Sequence, residues 1–355
     1  MMKHIGAGGK LPPKFCEENY RHVKEYHESM DGFAVTPLVD AKEIAEKAGV
    51  AKLYVKDESK RYSLNAFKAL GAAYAIGNIV RKGVSSDAVF VTATDGNHGR
   101  AVAWAASKEG HKSVVFMPEG TVKARSDAIA KIPGSTVHVT DLNYDDAVRK
   151  AMKYAEDNNG IFVQDTAFDG YEDIPWDITL GYTKIAEEAL SQMGGKLPTH
   201  VMLQAGVGSM AGGVTGYLVD KLGDRCPVIS IMEATESACI YESVREDGYV
   251  AIGGKPKTIM AGLNCGEANI STLEVIRNHA SFYFKVPDYV TIDGMKALHD
   301  IGMTAGECGG IGTGLLLNLT DDMKKEMGID ENSVVLVIST EGDTDPEFYR
   351  KCIEG

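Results

Sequence analysis

The stretch Leu64-Asn65-Ala66-Phe67-Lys68-Ala69-Leu70-Gly71 places a single cation, Lys68, inside a run of small and apolar residues. A lysine in such a run loses hydration, which favours the neutral amine. A neutral lysine amine is a nucleophile that forms Schiff bases with carbonyl compounds. Since a lysine taken alone is more often a surface side chain at a helix start, the catalytic interpretation depends on the motifs that surround this stretch in the rest of the chain.

Composition narrows the class of protein before any motif is considered. The chain has 355 residues, 44% of them hydrophobic, which is enough for two domains with substantial cores. Its net charge is −13 and its basic residues are scattered, so we expect no nucleic-acid partner. There is no apolar stretch of about 18 residues and no signal-peptide core, so we expect a cytoplasmic protein without a membrane span.

The cysteines and histidines give no pattern for metal binding. The six cysteines contain no C-x-x-C pair, and the nine histidines lack zinc-ligand spacing. We therefore predict reduced thiols and no metal.

Short apolar runs alternate with helical segments along most of the chain. The runs cover residues 53–56, 88–93, 113–117, 136–139, 161–164, 200–204, 228–232 and 334–339. Such runs, separated by helices, predict parallel strands joined by right-handed crossovers. We predict an α/β protein with two lobes, each a mainly parallel sheet flanked by helices. The predicted large domain is 1–88 with 169–355, and the small domain is 89–168.

The first polar motif, Thr94-Asp95-Gly96-Asn97-His98-Gly99, follows the predicted strand 88–93 and begins a helix. Helix N-termini expose unpaired N–H groups that bind anions such as a carboxylate. The predicted substrate-binding residues are therefore Thr94, Asp95, Asn97 and His98. The alternative is a structural turn, in which Asp95 is only a helix N-cap and His98 only a packing residue.

The second motif, Gln204-Ala205-Gly206-Val207-Gly208-Ser209-Met210-Ala211-Gly212-Gly213, lies between a strand and a helix. Glycines before a helix N-terminus form a phosphate site. The spacing does not match the G-x-G-x-x-G pattern of dinucleotide sites. Glu233 nevertheless ends the next strand, where such sites carry an acidic residue, so a nicotinamide-dependent oxidoreductase stays open as an alternative.

Two further strand ends carry polar groups. Ser339-Thr340-Glu341-Gly342-Asp343 follows the last apolar run, and Asp165 follows the run 161–164. A lysine nucleophile, a phosphate site, an Asp-Gly-Asn turn and a hydroxyl at a late strand end are together what a pyridoxal phosphate site requires.

These motifs, in this order, resemble the fold-type II pyridoxal-phosphate-dependent enzymes, the family of tryptophan synthase β and the serine and threonine dehydratases. The similarity extends from about residue 30 to the C-terminus and is closer to one branch, the diaminopropionate ammonia-lyases. The resemblance implies that Lys68 binds the cofactor covalently and that Asn97 contacts its phenolic oxygen. Ser339 or Thr340 would face the pyridine nitrogen. The implied phosphate contacts are the backbone N–H groups of Gly206, Val207, Gly208, Ser209 and Met210.

The resemblance also implies the reaction: β-elimination of D- or L-2,3-diaminopropionate to pyruvate and ammonia, in a homodimer. Asp95 would serve one substrate enantiomer and Asp165 the other. Ordinary dehydratases carry serine at the position of Asp95, and a carboxylate is the stronger base. A serine or threonine dehydratase, a β-replacing synthase and a racemase remain alternatives that use the same cofactor.

Overall fold

The described part of the computed structural model comprises residues 1–94, 96–254 and 256–355, apart from the side chain of Asp145. In this part the strands form one seven-stranded and one four-stranded sheet. In chain order the strands are β1 (Met2–Lys3), β2 (Leu38–Asp40), β3 (Lys52–Asp57), β4 (Val89–Ala93), β5 (Lys112–Met117), β6 (Ser135–Val139), β7 (Ile161–Phe162), β8 (His200–Gln204), β9 (Val228–Ala234), β10 (Phe282–Val286) and β11 (Val334–Ser339).

Helices separate most of these strands. They are α1 (Glu17–Ser29), α2 (Lys42–Ala48), α3 (Lys68–Arg81), α4 (Asn97–Lys108), α5 (Lys123–Ala130), α6 (Tyr144–Asp157), α7 (Asp173–Gln192), α8 (Ser209–Leu222), α9 (Cys239–Arg245), α10 (Ile270–His279), α11 (Asp288–Asp300), α12 (Ile311–Asn318), α13 (Asp321–Met327) and α14 (Pro346–Glu354). None of the helices in the described ranges is both long enough and apolar enough to cross a bilayer.

Both sheets are mainly parallel, as predicted. The larger sheet has the order β1-β10-β9-β8-β11-β3-β2, and only its two edge strands run antiparallel. The smaller sheet, β6-β5-β4-β7, is parallel throughout. The apolar runs of the sequence correspond to eight strands, whereas β1, β2 and β10 were missed. The boundary between a large domain (1–88 with 169–355) and a small domain (89–168) stays a prediction.

The turn before α3 is held in an unusual backbone conformation. Tyr62, Ser63 and Asn65 all have positive φ angles, between 48° and 58°. L-residues rarely adopt this region, so the surrounding contacts have to maintain it. The N–H of Phe67 donates to the Thr340 carbonyl (3.0 Å), and the N–H of Gly342 donates to the Asn65 carbonyl (3.1 Å). The turn is thereby joined to the segment after β11.

A buried ion cluster supports the same turn from the other side. Arg61 is fully buried and donates to the carboxylates of Glu58 (2.9 Å) and Glu188 (2.7 Å). Lys56 donates to Glu188 as well (2.8 Å). Breaking a buried ion pair is costly, because the remaining charge has no compensation. The cluster therefore fixes the exit of β3 against α7.

Close helix packing fixes the direction of α3. A Cβ added to Gly71 would lie 2.7 Å from side-chain atoms of Ile178 and Tyr182 on α7. A Cβ added to Gly181 would lie 2.5 Å from the Leu70 carbonyl oxygen. The two helices can approach this closely only because each has a glycine at the contact. Lys68, the first residue of α3, is consequently held in a defined place.

Candidate active site

Most of the predicted site residues meet around one cavity between the two sheets, about 820 Å³ in volume when its open mouth is included, whereas Ser339 is not part of its wall. The cavity lies beside the carboxyl ends of β4, β8 and β11, where α/β sheets place their ligands. Residues predicted for the site and found in its wall are Lys68, Thr94, Asn97, His98, Asp165, Gly206, Val207, Gly208, Ser209, Met210 and Thr340. Asp95 lies outside the described residues.

Lys68 and Asp165 are in direct contact inside this cavity. The Nζ atom of Lys68 donates to Oδ2 of Asp165, and the two side chains are 18% and 4% exposed. Burial by itself raises the pKa of Asp165, but the Lys68 ammonium more than compensates and the pKa falls to about 2. The lysine and the strand-end carboxylate are therefore an ion pair when nothing else is bound.

This ion pair corrects the expectation that Lys68 is a neutral amine. Burial does act to lower the pKa of Lys68, as the sequence predicted. The Asp165 carboxylate raises the pKa of Lys68 and outweighs the effect of burial, so this pKa lies above the ordinary lysine value. The sequence could not show this outcome, because the two residues are 97 positions apart.

The loop between β8 and α8 has the geometry of an anion site. Gly208 has a φ of +96° and directly precedes the fourteen-residue helix α8. A Cβ on Gly206 would lie 2.9 Å from the Gly262 carbonyl oxygen and 3.0 Å from Cys265 Sγ. The loop thus requires glycine at both positions, and it directs the first N–H groups of α8 toward the cavity.

Side chains tie this loop to Asp165. The Ser209 hydroxyl donates to the main-chain carbonyl of Asp165, and Asn269 donates to Ser209 Oγ over 2.8 Å. Because the Ser209 side chain is occupied in this way, the backbone remains the part of this residue that can hold a phosphate. The contact also means that the phosphate loop and the Asp165 carboxylate are positioned together.

Ser339 and Thr340 differ in their surroundings. Thr340 lines the cavity, and its Oγ1 accepts a hydrogen bond from Gln204 Nε2 over 3.2 Å. Ser339 is fully buried at the end of β11, and its Oγ has no hydrogen-bond partner among the described residues. A buried hydroxyl without a partner costs free energy unless something else satisfies it. Ser339 therefore has the unsatisfied hydroxyl that a ring nitrogen would complete.

Three charged residues near the cavity, Arg125, Glu307 and Glu341, were not predicted as site residues from the sequence. Asn97 Nδ2 donates to Glu341, and Glu341 Oε1 also accepts the N–H of Cys308 (3.2 Å). Arg125 on α5 forms an ion pair with Glu307. Burial and the nearby Glu341 raise the pKa of Glu307 to about 7, although Arg125 opposes them. Glu341 lies within a motif that signalled the site, whereas Arg125 lies in the first turn of α5 and had no such signal.

Cys308 is buried and forms part of the cavity wall. Burial, with the neighbouring carboxylates, raises the pKa of its thiol well above the usual value. The residue is therefore a neutral thiol rather than a reactive thiolate. All six cysteines are free thiols, in agreement with the sequence.

Glu233 does not have the geometry of a dinucleotide site. It is 1% exposed, and its carboxylate accepts the N–H groups of Ile240 (2.8 Å) and Tyr241 (2.6 Å) at the start of α9. Both of its oxygens are therefore used within the protein, and a ribose hydroxyl cannot reach them. The acidic residue that kept the oxidoreductase alternative open serves the fold instead.

Taken together, these features fit pyridoxal phosphate. The amine of Lys68 enters the cavity, a glycine-dependent helix N-terminus faces it, and Ser339 has an unsatisfied buried hydroxyl. Within residues 1–94, 96–254 and 256–355, no group of three or more His, Cys, Asp or Glu side chains could hold a metal ion.

Comparison with known proteins agrees with this interpretation. The profile of the pyridoxal-phosphate dependent enzyme family matches residues 30–341. The diaminopropionate ammonia-lyase of Escherichia coli strain K12 is 41% identical over 97% of this chain and 94% of its own length. The enzyme of the same name from Salmonella typhimurium strain LT2 is 40% identical, over 99% of this chain and 95% of its own length.

A solved structure gives the same result for the fold. The crystal structure of the Escherichia coli enzyme with an aminoacrylate-PLP azomethine reaction intermediate superposes with a TM-score of 0.92. It is 41% identical in sequence, and the match covers 98% of this chain and 94% of that one. The chain belongs to the pyridoxal-phosphate dependent enzyme family, and within that family to the diaminopropionate ammonia-lyases.

Proposed function

We propose that this chain eliminates ammonia from 2,3-diaminopropionate, with Lys68, Asp95 and Asp165 as its catalytic residues and pyruvate and a second ammonia as further products. The observation that carries the proposal is the contact between the Lys68 amine and the Asp165 carboxylate inside the cavity. When bound, pyridoxal phosphate supplies an electrophilic carbonyl and an electron sink that acidifies the substrate α-hydrogen. The protein must supply the attachment point, the bases and the orientation.

Lys68 controls how basic Asp165 is. The positive charge on its amine is what lowers the pKa of Asp165 against the effect of burial. Any event that neutralises this charge therefore makes Asp165 a stronger base. Asp165 can then remove a proton from a substrate atom held above it.

Different elements of the fold would bind different parts of the cofactor and the substrate. We assign the phosphate to the backbone of residues 206–210 and the phenolic oxygen to Asn97. Ser339 or Thr340 would donate to the ring nitrogen: the Ser339 hydroxyl has no partner among the described residues, whereas Thr340 lines the cavity and keeps its hydroxyl hydrogen although its Oγ1 accepts a bond from Gln204. The N-terminus of the twelve-residue helix α4, with Thr94, would hold the substrate carboxylate. His98 was predicted for the same role, but its two ring nitrogens face Val163 and Asp165, and we do not assign it to the carboxylate.

Asp95 would be the second base. In the sequence it lies between β4 and α4, whereas Asp165 follows β7. Two carboxylates that approach the substrate from different sides would account for turnover of both enantiomers. They would also attract the second ammonium group of the substrate, which a hydroxy amino acid lacks.

The quaternary state is a separate part of the proposal. We propose a homodimer, as the family resemblance implies, and a cytoplasmic location, as the acidic composition suggests. Mass photometry at submicromolar concentration tests the dimer, since one chain has a mass of 38.2 kDa. A single species at the mass of one chain would contradict it.

The experiment for the activity compares enantiomers and variants. Purified protein is loaded with pyridoxal phosphate, and pyruvate is followed with D- and L-2,3-diaminopropionate and with D- and L-serine and threonine. Asp95→Asn and Asp165→Asn should each slow mainly one diaminopropionate enantiomer. If the wild-type protein prefers serine or threonine, the enzyme is a dehydratase and not a diaminopropionate ammonia-lyase. If it interconverts the D and L forms of a substrate without producing pyruvate, it is a racemase.

A further inference from the structure

His98 has an arrangement that substrate binding does not explain. The residue is 5% exposed, and its Nε2 atom lies 3.2 Å from the Val163 carbonyl oxygen. A carbonyl oxygen only accepts hydrogen bonds, so Nε2 must carry the hydrogen of this contact. In the neutral ring, Nδ1 then has no hydrogen and has a free lone pair.

That lone pair faces a second acceptor. Nδ1 lies 3.8 Å from Oδ2 of Asp165 and has no hydrogen-bond partner among the described residues. An unprotonated ring nitrogen and a carboxylate cannot bond to each other without a proton between them. One additional proton would therefore allow a hydrogen bond between Nδ1 of His98 and Oδ2 of Asp165. The proposed reaction would deliver a proton to Asp165.

We propose that His98 is a positioning residue that acts through Asp165, sharing the proton that Asp165 takes from the substrate. Once Oδ2 is protonated, its O–H can donate to Nδ1 after a small rotation of the carboxyl group. Full transfer would leave Asp165 ionised and His98 as an imidazolium whose Nε2–H still bonds Val163. No atom other than this one proton changes its partner.

The charges around His98 are consistent with this role. Among the described residues, the ionised groups that act on the ring are Asp165 and Lys68. Burial lowers the pKa of His98, the Asp165 carboxylate raises it, and the Lys68 ammonium lowers it again, with a net decrease. His98 is therefore neutral, with a vacant Nδ1, while Lys68 is charged, and it becomes more basic when that charge is lost.

The inference rests on the proposed division of labour between Asp165 and Asp95, which makes it specific to one enantiomer. A residue that acts through Asp165 affects only the enantiomer that Asp165 serves. A residue that merely supports the fold or holds the substrate carboxylate affects both enantiomers alike. Enantiomer dependence therefore separates the two roles, which stability measurements alone would not.

The principal test uses the His98→Gln variant. A glutamine amide can replace the Nε2–H bond to Val163 but offers no basic nitrogen at the place of Nδ1. We expect kcat for the enantiomer slowed by Asp165→Asn to fall by about ten- to a hundredfold, with KM little changed and the other enantiomer within about twofold. Equal losses for both enantiomers, or no loss for the Asp165 enantiomer, would overturn the proposal.

His200→Gln is the matched control. His200 is also buried, and its Nε2 contacts the Met327 carbonyl over 3.0 Å, but it lies at the start of β8, away from the cavity. We expect a similar loss of thermal stability in the two variants, with no enantiomer-dependent effect for His200→Gln. An enantiomer-dependent effect in the control would remove the specificity on which the proposal depends.

A second readout does not depend on turnover. Nitrogen-15 NMR of the full chain without cofactor at pH 7 should show His98 neutral and protonated on Nε2. A ring protonated on Nδ1 would contradict the proposal, because the proton would already be in place. If Asp165→Asn slows both enantiomers or neither, the proposed division of roles between Asp95 and Asp165 is wrong. The NMR measurement then decides on its own whether Nδ1 of His98 is unprotonated.

Discussion

Lys68 and Asp165 form an ion pair although 97 positions separate them in the sequence. Lys68 begins α3 beside the larger sheet, and Asp165 follows β7 of the smaller sheet. The pair therefore joins the two sheets within the cavity. Its two charges also control each other, because the ammonium lowers the pKa of the acid and the carboxylate raises that of the amine.

The first prediction concerns the pH dependence of this pair in the chain without cofactor. The pKa of Asp165 falls from 3.8 to about 2 on folding. A group with a depressed pKa stabilises the fold above its unfolded pKa, and this stabilisation disappears as the pH falls from about 4 through about 2. The size of the effect is about 2 kcal/mol, since one pKa unit corresponds to about 1.4 kcal/mol.

A double-mutant cycle measures this contribution. Urea unfolding of wild type, Lys68→Met, Asp165→Asn and the double variant gives the coupling free energy between the two side chains. We expect a favourable coupling at pH 6 that exceeds this net contribution, because the ammonium also offsets the burial of Asp165, and that is strongly reduced at the lowest pH at which the chain folds. A coupling that does not change with pH would show that the ion pair does not carry the stabilisation.

The second prediction separates the charge of Lys68 from its chemistry. Lys68→Arg keeps a cation beside Asp165 but cannot form the covalent bond to the cofactor, whereas Lys68→Ala removes both properties. We expect both variants to lose the absorption band of the lysine-bound cofactor and about 10³-fold or more in kcat. Only Lys68→Arg should keep near wild-type thermal stability without cofactor. Substantial activity in either variant would remove Lys68 from its proposed role.

Much of the fold could be predicted because the signals are local. Apolar runs of five or six residues between helices are typical of parallel strands, and the run at residues 334–339 was placed with its exact observed ends at β11. Strands β1 and β2 have two and three residues at the sheet edge, too few for a periodic pattern. Their presence depends on the neighbouring strand that pairs with them.

The site was predictable as a set of motifs, but its electrostatics was not. Strand ends and glycine loops indicated where Asp165 and Gly208 would lie. Whether Lys68 is neutral depends on which charge meets it after folding, and local sequence contains no such information. Arg125 and Glu307 are 182 positions apart, and Arg125 lies in a helix without a distinctive motif. Such a pair becomes visible only when the structure brings the two segments together.

The third prediction concerns the phosphate loop. Gly208→Ala forces an L-residue into a φ of +96° and places its Cβ 2.8 Å from Ile240 Cδ1. We expect a loss of stability of about 1–2 kcal/mol and pyridoxal phosphate binding weakened by about tenfold or more. Equilibrium titration of the cofactor, followed by its absorbance, measures the second effect.

Gly328→Ala is the matched control for this variant. Gly328 also has a left-handed φ, +74°, but no atom lies within 4 Å of its added Cβ. We expect a stability loss from the strained backbone and unchanged cofactor affinity. If the two variants bind pyridoxal phosphate equally well, residues 206–210 are not the phosphate site.

The fourth prediction concerns the effect of Glu233 on stability, since this residue supports the fold and takes no part in the proposed reaction. Burial raises the pKa of Glu233 from 4.5 to about 8, although the N–H groups of Ile240 and Tyr241 act in the opposite direction. Between these two pH values the folded state binds a proton that the unfolded state has released. Stability therefore falls as the pH rises from about 4.5 to about 8, by up to about 5 kcal/mol.

The Glu233→Gln variant has no such proton to lose. At pH 5 it should be less stable than wild type by about 1 kcal/mol, because its amide NH₂ cannot accept the second N–H bond. As the pH rises toward 9 the difference should shrink and then reverse, because only the wild type loses stability in this window. Elimination activity at pH 7 should be unchanged. Parallel stability curves for the two proteins would show that Glu233 is ionised throughout, and its two N–H contacts would then outweigh the cost of burying the charge.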